Sequence, residues 1–399
     1  MQHRTSATTR AVRAALASDS QFGAVMPPLH LSSNFTYAGL DRPREYDYTR
    51  SGNPTRDALA RTIADLEGGS GAVVTSSGMA AITLVCQLLR PGDLFIVPHD
   101  CYGGSFRLFS ALATKEYFRV RFVDQTDHRA LDEAFAEKPT MVWVETPSNP
   151  LLRIVDIKQV ANLCHSQGAL LVVDNTFLSP ALQRPISLGA DVVVHSTTKY
   201  LNGHSDVVGG AAIAKEPQLH EQLWYWGNCL GITGAPFDSY LTLRGVRTLH
   251  ARLRQHQENA KALVDALAVH PAVEKLYYPG LKAHPGHVVA KKQQLGFGAM
   301  MSFDIAGGPD AVKIFLEALR CFSLAESLGG VESLVAHPAT MTHASMDPDA
   351  RHRAGIGDNL VRLSVGIEAA EDLVYDVVSA LDNVLAAQTH PVSPAVAGL

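Results

Sequence analysis

The chain has 399 residues, a hydrophobic fraction of 46% and a formal net charge of -5 at pH 7. A chain of this length and apolar content can bury a substantial core and can form two domains, so we expect a large globular protein. The small net charge and the lack of a basic run disfavour nucleic acid and anionic membranes as partners. We expect a function on small molecules.

The cysteines are five in number and widely spaced, and no CxxC pair occurs. This pattern predicts neither a disulfide framework nor a metal site. No apolar stretch is long enough to cross a bilayer, and residues 1–13 lack the apolar centre of a secretory signal. We therefore expect a cytoplasmic protein with no bound metal. The cysteines are Cys86, Cys101, Cys164, Cys229 and Cys321.

Residues 25–55 are rich in Pro, Gly, Tyr and Arg and show little periodicity. Such a segment is typical of an extended arm with many groups suited to binding. We assign residues 1–62 to an N-terminal arm and residues 63–250 to a large domain.

Seven short apolar runs alternate with helix-like segments between residues 71 and 214. Runs that are apolar almost throughout are typical of strands in a sheet covered by helices on both faces. The pattern predicts an α/β fold with a mostly parallel sheet, whose ligands bind beyond the carboxyl ends of the strands. The runs are Ala72–Thr75, Leu94–Val97, Val120–Val123, Met141–Val144, Leu170–Val173, Val192–Val194 and Ala211–Ala214.

After about residue 250 the pattern changes to a long helix, two strands at Val273–Tyr277 and Met300–Phe303, and further helices that include Leu373–Leu385. This predicts a smaller α+β domain over residues 251–387. Residues 388–399 contain prolines and small residues without periodicity, so we expect a disordered tail.

One lysine stands out within the run from Asp191 to Ser205. An apolar strand stops there, and Lys199 follows among hydroxyls, glycine and histidine. Desolvation at a strand end lowers the pKa of an amine, so a neutral Lys199 could attack a carbonyl and form a Schiff base. The competing interpretation is an ordinary solvated lysine.

Other strand ends carry groups that decide between these interpretations. Ser76–Met79 follows a strand and opens a helix, which suits either a phosphate or a simple N-cap. Asp174 ends another strand and could face a pyridine nitrogen or serve as a cap. Tyr102, close to Gly104, could stack on a flat ring or pack on its own domain. Together with Lys199 these groups predict pyridoxal 5′-phosphate as the cofactor.

The run from Asp191 to Ser205 resembles the cofactor-attachment signature of the Cys/Met-metabolism family of pyridoxal-phosphate-dependent enzymes. The resemblance covers about residues 20 to 387 and is strongest to the bacterial cystathionine γ-synthases. It implies the aspartate aminotransferase-like fold, fold type I, with a large domain and a smaller C-terminal α+β domain. The other matching motifs are Tyr48–Arg56, Ser77–Ala80, Tyr102–Gly104, Glu145–Pro150, Asp174–Phe177 and Ala325–Ser333.

The resemblance implies a role for each matching position. Lys199 would form the Schiff base, Asp174 would pair with the pyridine nitrogen, and Tyr102 would stack on the ring. The phosphate would be held by Ser76, Gly78, Met79, Ser196 and Thr198, with Tyr48 and Arg50 reaching in from a neighbouring subunit. The substrate would be bound by Arg362, Asn149, Ser327, Glu326, Arg107, Asp47 and Ser51. The shared sites imply a homotetramer built as a dimer of dimers.

The activity that the resemblance implies is γ-replacement. Cysteine would displace the acyl group of O-succinylhomoserine or O-acetylhomoserine and give cystathionine, a step of transsulfuration in methionine biosynthesis. Lys199 would move the protons at Cα and Cβ. Tyr102 would take the proton from the incoming amino group.

One position departs from the pattern of the bacterial γ-synthases. They carry an arginine where this chain has Ser51, and that arginine would meet the distal carboxylate of a succinyl group. Its loss would weaken recognition of a succinyl ester by about 2 kcal/mol, so the acyl donor stays open between succinyl and acetyl.

Other activities of the family compete with γ-replacement. The motif around Ser51 is also typical of cystathionine γ-lyases, which release cysteine, 2-oxobutyrate and ammonia from cystathionine, so this activity is the alternative. Glu326 disfavours a β-lyase, which has an aromatic residue there, and Gly104 disfavours a methionine γ-lyase, which has a cysteine. A catalytically silent, structural member of the fold is disfavoured by the presence of both Lys199 and Asp174.

Overall fold

The structure is a computed structural model that describes residues 5–344, 349, 351 and 354–389. The tail predicted to be disordered lies outside these residues except for Gln388 and Thr389, which end the last helix. The helices are Ala7–Val12, Pro54–Glu67, Gly78–Cys86, Gly103–Thr114, His128–Phe135, Ile157–Ser166, Ser179–Leu182, Pro185–Leu188, Pro217–Leu230, Pro236–Val246, Leu249–Leu267, His287–Gln293, Gly308–Ala318 and Ala370–Thr389.

A seven-stranded sheet forms the centre of the larger part of the molecule, and each of the seven predicted strands is confirmed. Its strands are β1 (Gly71–Thr75), β2 (Leu94–Pro98), β3 (Arg119–Val123), β4 (Met141–Glu145), β5 (Leu170–Asp174), β6 (Val192–Ser196) and β7 (Gly210–Ala214). The spatial order is β1-β7-β6-β5-β4-β2-β3. Strand β7 is antiparallel to its neighbours β1 and β6, and the other neighbouring pairs are parallel.

Because β7 is the reversed strand, the carboxyl ends of the other six strands lie along one edge of the sheet. Apolar side chains cover both faces. Trp143 and Val172 are fully buried on one face, while Leu171 and Val193 are fully buried on the other. Each such side chain contributes roughly 1.5–3 kcal/mol on burial, which explains the nearly continuous apolar runs of these strands.

The helix Pro54–Glu67 shows how local sequence fixes an element on this sheet. Asn53 caps it, because its side-chain oxygen accepts hydrogen bonds from the backbone N–H groups of Thr55 and Arg56. Proline at the first turn suits a position whose N–H has no partner within the helix. Gly68 ends the helix with φ of 86°, a left-handed conformation that glycine adopts without strain.

A second, five-stranded sheet forms the smaller part. Its strands are β8 (Val273–Tyr277), β9 (Met300–Ile305), β10 (Ser323–Leu324), β11 (Leu334–Ala336) and β12 (Leu360–Ser364), in the order β10-β11-β12-β9-β8. The sequence predicted β8 and β9. Strands β10 and β11 have only two and three residues, too few for periodicity to reveal.

The helix Leu249–Leu267 connects the two parts and crosses the domain boundary placed after residue 250. Leu249 and Leu253 pack in the core beneath the large sheet, whereas Leu263 and Leu267 pack in the core of the small sheet. The division into domains stays a prediction.

The range assigned to the arm, residues 1–62, contains the helix Ala7–Val12 and the start of the helix Pro54–Glu67, with an irregular stretch between them, and its role as an arm stays a prediction. Between Val12 and Pro54 the structure describes no helix, and its only ladder contacts there are isolated bridges such as the one between Asn34 and Tyr48. Large apolar side chains such as Phe22 and Leu40 are exposed along it. No helix among the described residues is long and apolar enough to cross a membrane.

Candidate active site

A cavity of about 450 Å³ lies at the carboxyl edge of the large sheet, where the small sheet closes over it. It brings together most of the residues predicted from sequence: Gly78, Met79, Tyr102, Arg107, Asn149, Asp174, Ser196, Thr198, Lys199, Glu326, Ser327 and Arg362. It also contains residues to which we had assigned no role, among them Ser77, Glu145, Thr176, Phe177, Val208, Met341 and Thr342.

Lys199 lies in the first turn after β6 and points into this cavity. Its Nζ donates a hydrogen bond to Oγ of Ser327 at 2.6 Å. The pKa of Lys199 is lowered to about 8, chiefly by burial and also by the positive charge of Arg362, while the negative charge of Glu326 opposes both effects. At pH 7 about a tenth of Lys199 is therefore a neutral amine, far more than for an ordinary lysine, and this is the form that attacks carbonyls and accepts protons.

Ser327 has an unusual backbone, with φ of 90°. A non-glycine residue in the left-handed region costs roughly 1–3 kcal/mol and is common where a site needs one backbone orientation. Here the orientation serves two neighbours, because the Ser327 carbonyl accepts a hydrogen bond from Arg362 while its hydroxyl accepts one from Lys199.

Two carboxyl groups stand side by side at the ends of adjacent strands. Glu145 on β4 is in register with Asp174 on β5, and both line the cavity. The pKa of Glu145 is raised to about 8, chiefly by burial and also by the negative charge of Asp174, while hydrogen bonds from Tyr102 and Trp143 oppose the rise. Burial also raises the pKa of Asp174, although hydrogen bonds from Thr176 and the charge of His195 oppose the rise. A cationic ligand group facing Asp174 would stabilise its ionised form.

Glu145 also positions Tyr102. One carboxyl oxygen accepts the backbone N–H of Tyr102 at 2.8 Å, and the other accepts the indole N–H of Trp143 at 3.1 Å. Tyr102 is the N-cap of the helix Gly103–Thr114, and the residue is 44% exposed at the cavity wall. A flat ligand can stack on a ring held in this way.

The start of the helix Gly78–Cys86 forms a second part of the wall. Ser77 caps it by accepting the N–H of Ala80 at 3.0 Å, so the predicted strand-to-helix turn is confirmed. A Cβ atom on Gly78 would lie only 2.8 Å from Cβ of Ser196, so glycine permits this close approach. Helix N–H groups beside the hydroxyls of Ser196 and Thr198 form a donor set that suits a phosphate. Ser76 is exposed and precedes the cavity-lining Ser77.

Arg362 on β12 forms the opposite wall and is only 3% exposed. Its Nη1 donates to the side-chain oxygen of Asn149 at 2.9 Å, and its Nη2 donates to the Ser327 carbonyl at 2.9 Å. Burial lowers the pKa of Arg362 to about 10, and the guanidinium stays charged at neutral pH. Each Nη carries a second N–H. The guanidinium, positioned by these two hydrogen bonds, can therefore bind a carboxylate through parallel donors.

These groups fit pyridoxal 5′-phosphate. The desolvated amine of Lys199 suits an aldehyde, the carboxylate of Asp174 suits a pyridinium nitrogen, and the turn at Gly78 suits a phosphate. The residues that the structure describes contain no cluster of histidine, cysteine and carboxylate side chains that could hold a metal ion.

Four predicted site residues of the arm lie elsewhere in the single chain. Asp47 and Ser51 line a separate cleft beside Trp224, whose indole N–H donates to the Ser51 carbonyl at 3.2 Å. Arg50 donates to the side chain and backbone of Asn228 at 2.7 and 2.9 Å. Tyr48 is about half exposed.

Sequence patterns could have revealed part of what we missed. Glu145 ends a buried strand just as Asp174 does, so the strand-end rule applied to it equally. Met341 and Thr342 follow β11 in a segment without periodicity. Their place in the wall depends on long-range packing, which no local pattern encodes.

The fold and the groups that line this cavity are those of an enzyme that uses an aldehyde cofactor. The family model described as "Cys/Met metabolism PLP-dependent enzyme" matches residues 8–382. The chain belongs to this family; it is a pyridoxal-phosphate-dependent enzyme, and it has the aspartate aminotransferase-like fold.

Several relatives are similar over nearly their whole length. Cystathionine γ-synthase of Escherichia coli is 57% identical over 370 residues, which cover 92% of this chain and 96% of the relative. The crystal structure of cystathionine γ-synthase from Xanthomonas oryzae pv. oryzae in complex with cystathionine is 59% identical, with a TM-score of 0.95 over 96% of this chain and 100% of that one. Cystathionine γ-lyase of Dictyostelium discoideum is 46% identical over 376 residues, covering 94% and 97%.

Proposed function

We propose that the chain is a cystathionine γ-synthase, which replaces the acyl group of O-succinylhomoserine or O-acetylhomoserine by cysteine to give cystathionine. The observation that carries the proposal is the double contact of Ser327 with Lys199 and Arg362. An amino acid whose α-carboxylate is bound by Arg362 would present its Cα to the amine of Lys199. The identity of 57% to a γ-synthase and 59% to the structure with cystathionine supports the choice among family activities.

The chain's own residues divide the work of binding and proton transfer. Pyridoxal 5′-phosphate, when bound, supplies an acceptor for the electron pair that proton removal leaves on the substrate. Asp174, Tyr102 and the turn at Gly78 would hold it, and Lys199 would hold its aldehyde until the substrate arrives. Lys199 would then take the proton from Cα and later the one from Cβ, since its pKa of about 8 suits both acceptance and release near neutral pH.

Tyr102 would act before these steps. Its ring lies at the cavity wall with its backbone fixed by Glu145. We infer that its hydroxyl takes the proton of the incoming amino group, so that the substrate arrives as a neutral amine. Proton removal makes the amine nucleophilic, which is what attack on an aldehyde carbon requires.

The far side of the cavity would decide what happens at Cγ. Arg107 and Glu326 line it, and the charge of Glu326 acts on both Lys199 and Arg362. We propose that these two residues, with Asp47 and Ser51 of a neighbouring subunit, surround the departing acyl group and the arriving cysteine. Serine at position 51 leaves the succinyl carboxylate without a cationic partner there, so both acyl esters stay candidate donors.

The alternative activity is that of a cystathionine γ-lyase. The relative of that name in Dictyostelium discoideum is 46% identical, and proton removal at Cα and Cβ is common to elimination and replacement. The higher identity to the γ-synthases favours replacement.

We also propose a homotetramer, a dimer of dimers with shared sites, in the cytoplasm. The support for shared sites is the arm: Tyr48 is about half exposed, and neither Tyr48 nor Arg50 lines the cavity of its own chain. The support for a reducing compartment is that all five cysteines are free, with three of them buried. Light scattering measures the assembly directly.

Product analysis tests the proposed activity. The purified enzyme is given O-succinylhomoserine with cysteine, the same with O-acetylhomoserine, each ester alone, and cystathionine alone, and the products are identified by mass spectrometry. We expect cystathionine as the main product with cysteine present. Cysteine and 2-oxobutyrate as the main products from cystathionine alone, with no synthesis from either ester, would instead establish a lyase.

The variant Glu326→Ala belongs to the same assay. Because Glu326 lies beside both Lys199 and Arg362, we expect the ratio of cystathionine to 2-oxobutyrate to change while cofactor binding is retained. The control is Glu133→Ala, which changes an exposed glutamate. An unchanged product ratio in Glu326→Ala would remove Glu326 from the control of this choice.

A further inference from the structure

A buried acid and a buried histidine face each other behind the catalytic edge of the large sheet. Nε2 of His195 lies 2.6 Å from Oε1 of Glu67, and the two side chains are 1% and 0% exposed. The same Oε1 accepts a hydrogen bond from the side-chain amide of Asn175 at 2.8 Å. No role assigned above uses either residue.

The contact has the properties of an ion pair. A carboxylate only accepts, so the imidazole Nε2 is the donor, and 2.6 Å is shorter than the usual distance for a neutral N–H···O bond. The second oxygen of Glu67 is buried without a hydrogen-bond partner. Burying such a pair costs several kcal/mol in lost hydration, so it contributes little to stability on its own account.

His195 follows the residue that is paired with Asp174. Strand β6 is the parallel neighbour of β5, with Val194 opposite Asp174, so His195 is one residue further along. Val194 lines the cavity, and alternation of side chains along a strand therefore turns His195 to the opposite face. Glu67 ends the helix Pro54–Glu67 and meets His195 on that face, while the charge of His195 acts on Asp174.

Asn175 strengthens the connection. It directly follows Asp174, it is fully buried, and its backbone N–H donates to the Val194 carbonyl at 3.0 Å. Its side chain binds both Glu67 and the carbonyl of Gln183. The position of Asp174 is thus tied to the same buried network as the histidine.

We propose that Glu67 and His195 are positioning residues that keep Asp174 ionised, and with it the ring nitrogen of the cofactor protonated. Glu67 holds His195 as an imidazolium on the side of the sheet away from the cavity. This positive charge acts on Asp174 from across the sheet and favours its ionised form, whereas its neighbour Glu145 is a second carboxyl group on the cavity side. The inference rests on the proposed role of Asp174.

The effect can be read from the ring nitrogen itself. The holoenzyme is loaded with pyridoxal 5′-phosphate carrying ¹⁵N in its ring, and the ¹⁵N chemical shift is measured by solid-state NMR at neutral pH. In wild type we expect the shift of a protonated ring. In Glu67→Gln we expect it to move toward the unprotonated position, since glutamine keeps an acceptor for His195 but removes the charge. If the variant lowers the pKa of the ring nitrogen by one unit, the ratio of protonated to unprotonated ring falls roughly tenfold.

Two control variants distinguish a failure of this inference from a failure of the proposed role of Asp174. Gln183→Met removes an uncharged member of the same network and should leave the shift in place; an equal movement there would mean that packing, not charge, is responsible. Asp174→Asn should move the shift whether or not the inference is right. If it does so while Glu67→Gln does not, the proposed function stands and the role of the pair is refuted.

A measurement on wild type needs no variant to fold. The ¹⁵N spectrum of histidine-labelled enzyme, with His195 identified by its coupling to neighbouring nuclei, should show both ring nitrogens of His195 protonated at neutral pH. A neutral His195 would overturn the proposal.

Discussion

Replacing Lys199 by alanine is expected to abolish turnover and to leave the cofactor without a covalent attachment. Lys199 lines the cavity with its amine desolvated, and we assign to it both the hold on the cofactor aldehyde and the proton transfers. Removing a general base alone costs roughly 10²–10⁴-fold. Losing both roles is expected to reduce kcat by at least the upper end of that range.

Borohydride reduction followed by peptide mass spectrometry checks this expectation. In wild type the cofactor mass should be found on the peptide that contains Lys199, and in Lys199→Ala on no peptide. Lys158→Ala, which changes an exposed lysine on the helix Ile157–Ser166, should retain both attachment and turnover. Cofactor fixed at another lysine of the wild-type enzyme would contradict the assignment of the site.

Replacing Arg362 by lysine is expected to raise KM strongly and to lower kcat/KM by about 10–10²-fold for each hydrogen bond lost. Lysine keeps the positive charge but loses the two-pronged fork that Asn149 and Ser327 hold in place. Hydrogen bonds to charged groups contribute about 1.5–3 kcal/mol each, and at least one of the two is lost.

A substrate without the α-carboxylate provides the matched control. The succinyl ester of 3-aminopropanol should react poorly with wild type and should be nearly insensitive to Arg362→Lys, because the group that Arg362 binds is missing. If Arg362→Lys lowered kcat/KM equally for the esters with and without the α-carboxylate, Arg362 would maintain the structure of the site rather than bind the substrate.

The sequence predicted the large sheet well because its strands are buried on both faces and therefore read as short apolar runs. The same rule located Lys199, Asp174 and Tyr102, since each follows the carboxyl end of a strand. Met341 and Thr342 could not be found in this way, because they reach the cavity through packing of the small sheet on the large one.

Glu67 shows a second limit of sequence reasoning. At the end of an amphipathic helix it resembles an ordinary surface acid, and only the packing of that helix on β1 and β7 places it against His195 of the adjacent β6. The arm shows a third limit. Its composition predicts binding, but in a single chain Arg50 contacts Asn228 of its own chain, and a role in another subunit's site rests on the family.

The most direct test of γ-replacement by way of Lys199 is to run the reaction in D₂O. If Lys199 removes protons from Cα and Cβ before the sulfur of cysteine bonds to Cγ, both carbons are reprotonated from an amine that exchanges with solvent. Cystathionine made from O-succinylhomoserine or O-acetylhomoserine should then carry deuterium at Cα and at Cβ of its four-carbon half. Cystathionine formed at full rate with deuterium at neither carbon would mean direct displacement at Cγ and would contradict the mechanism.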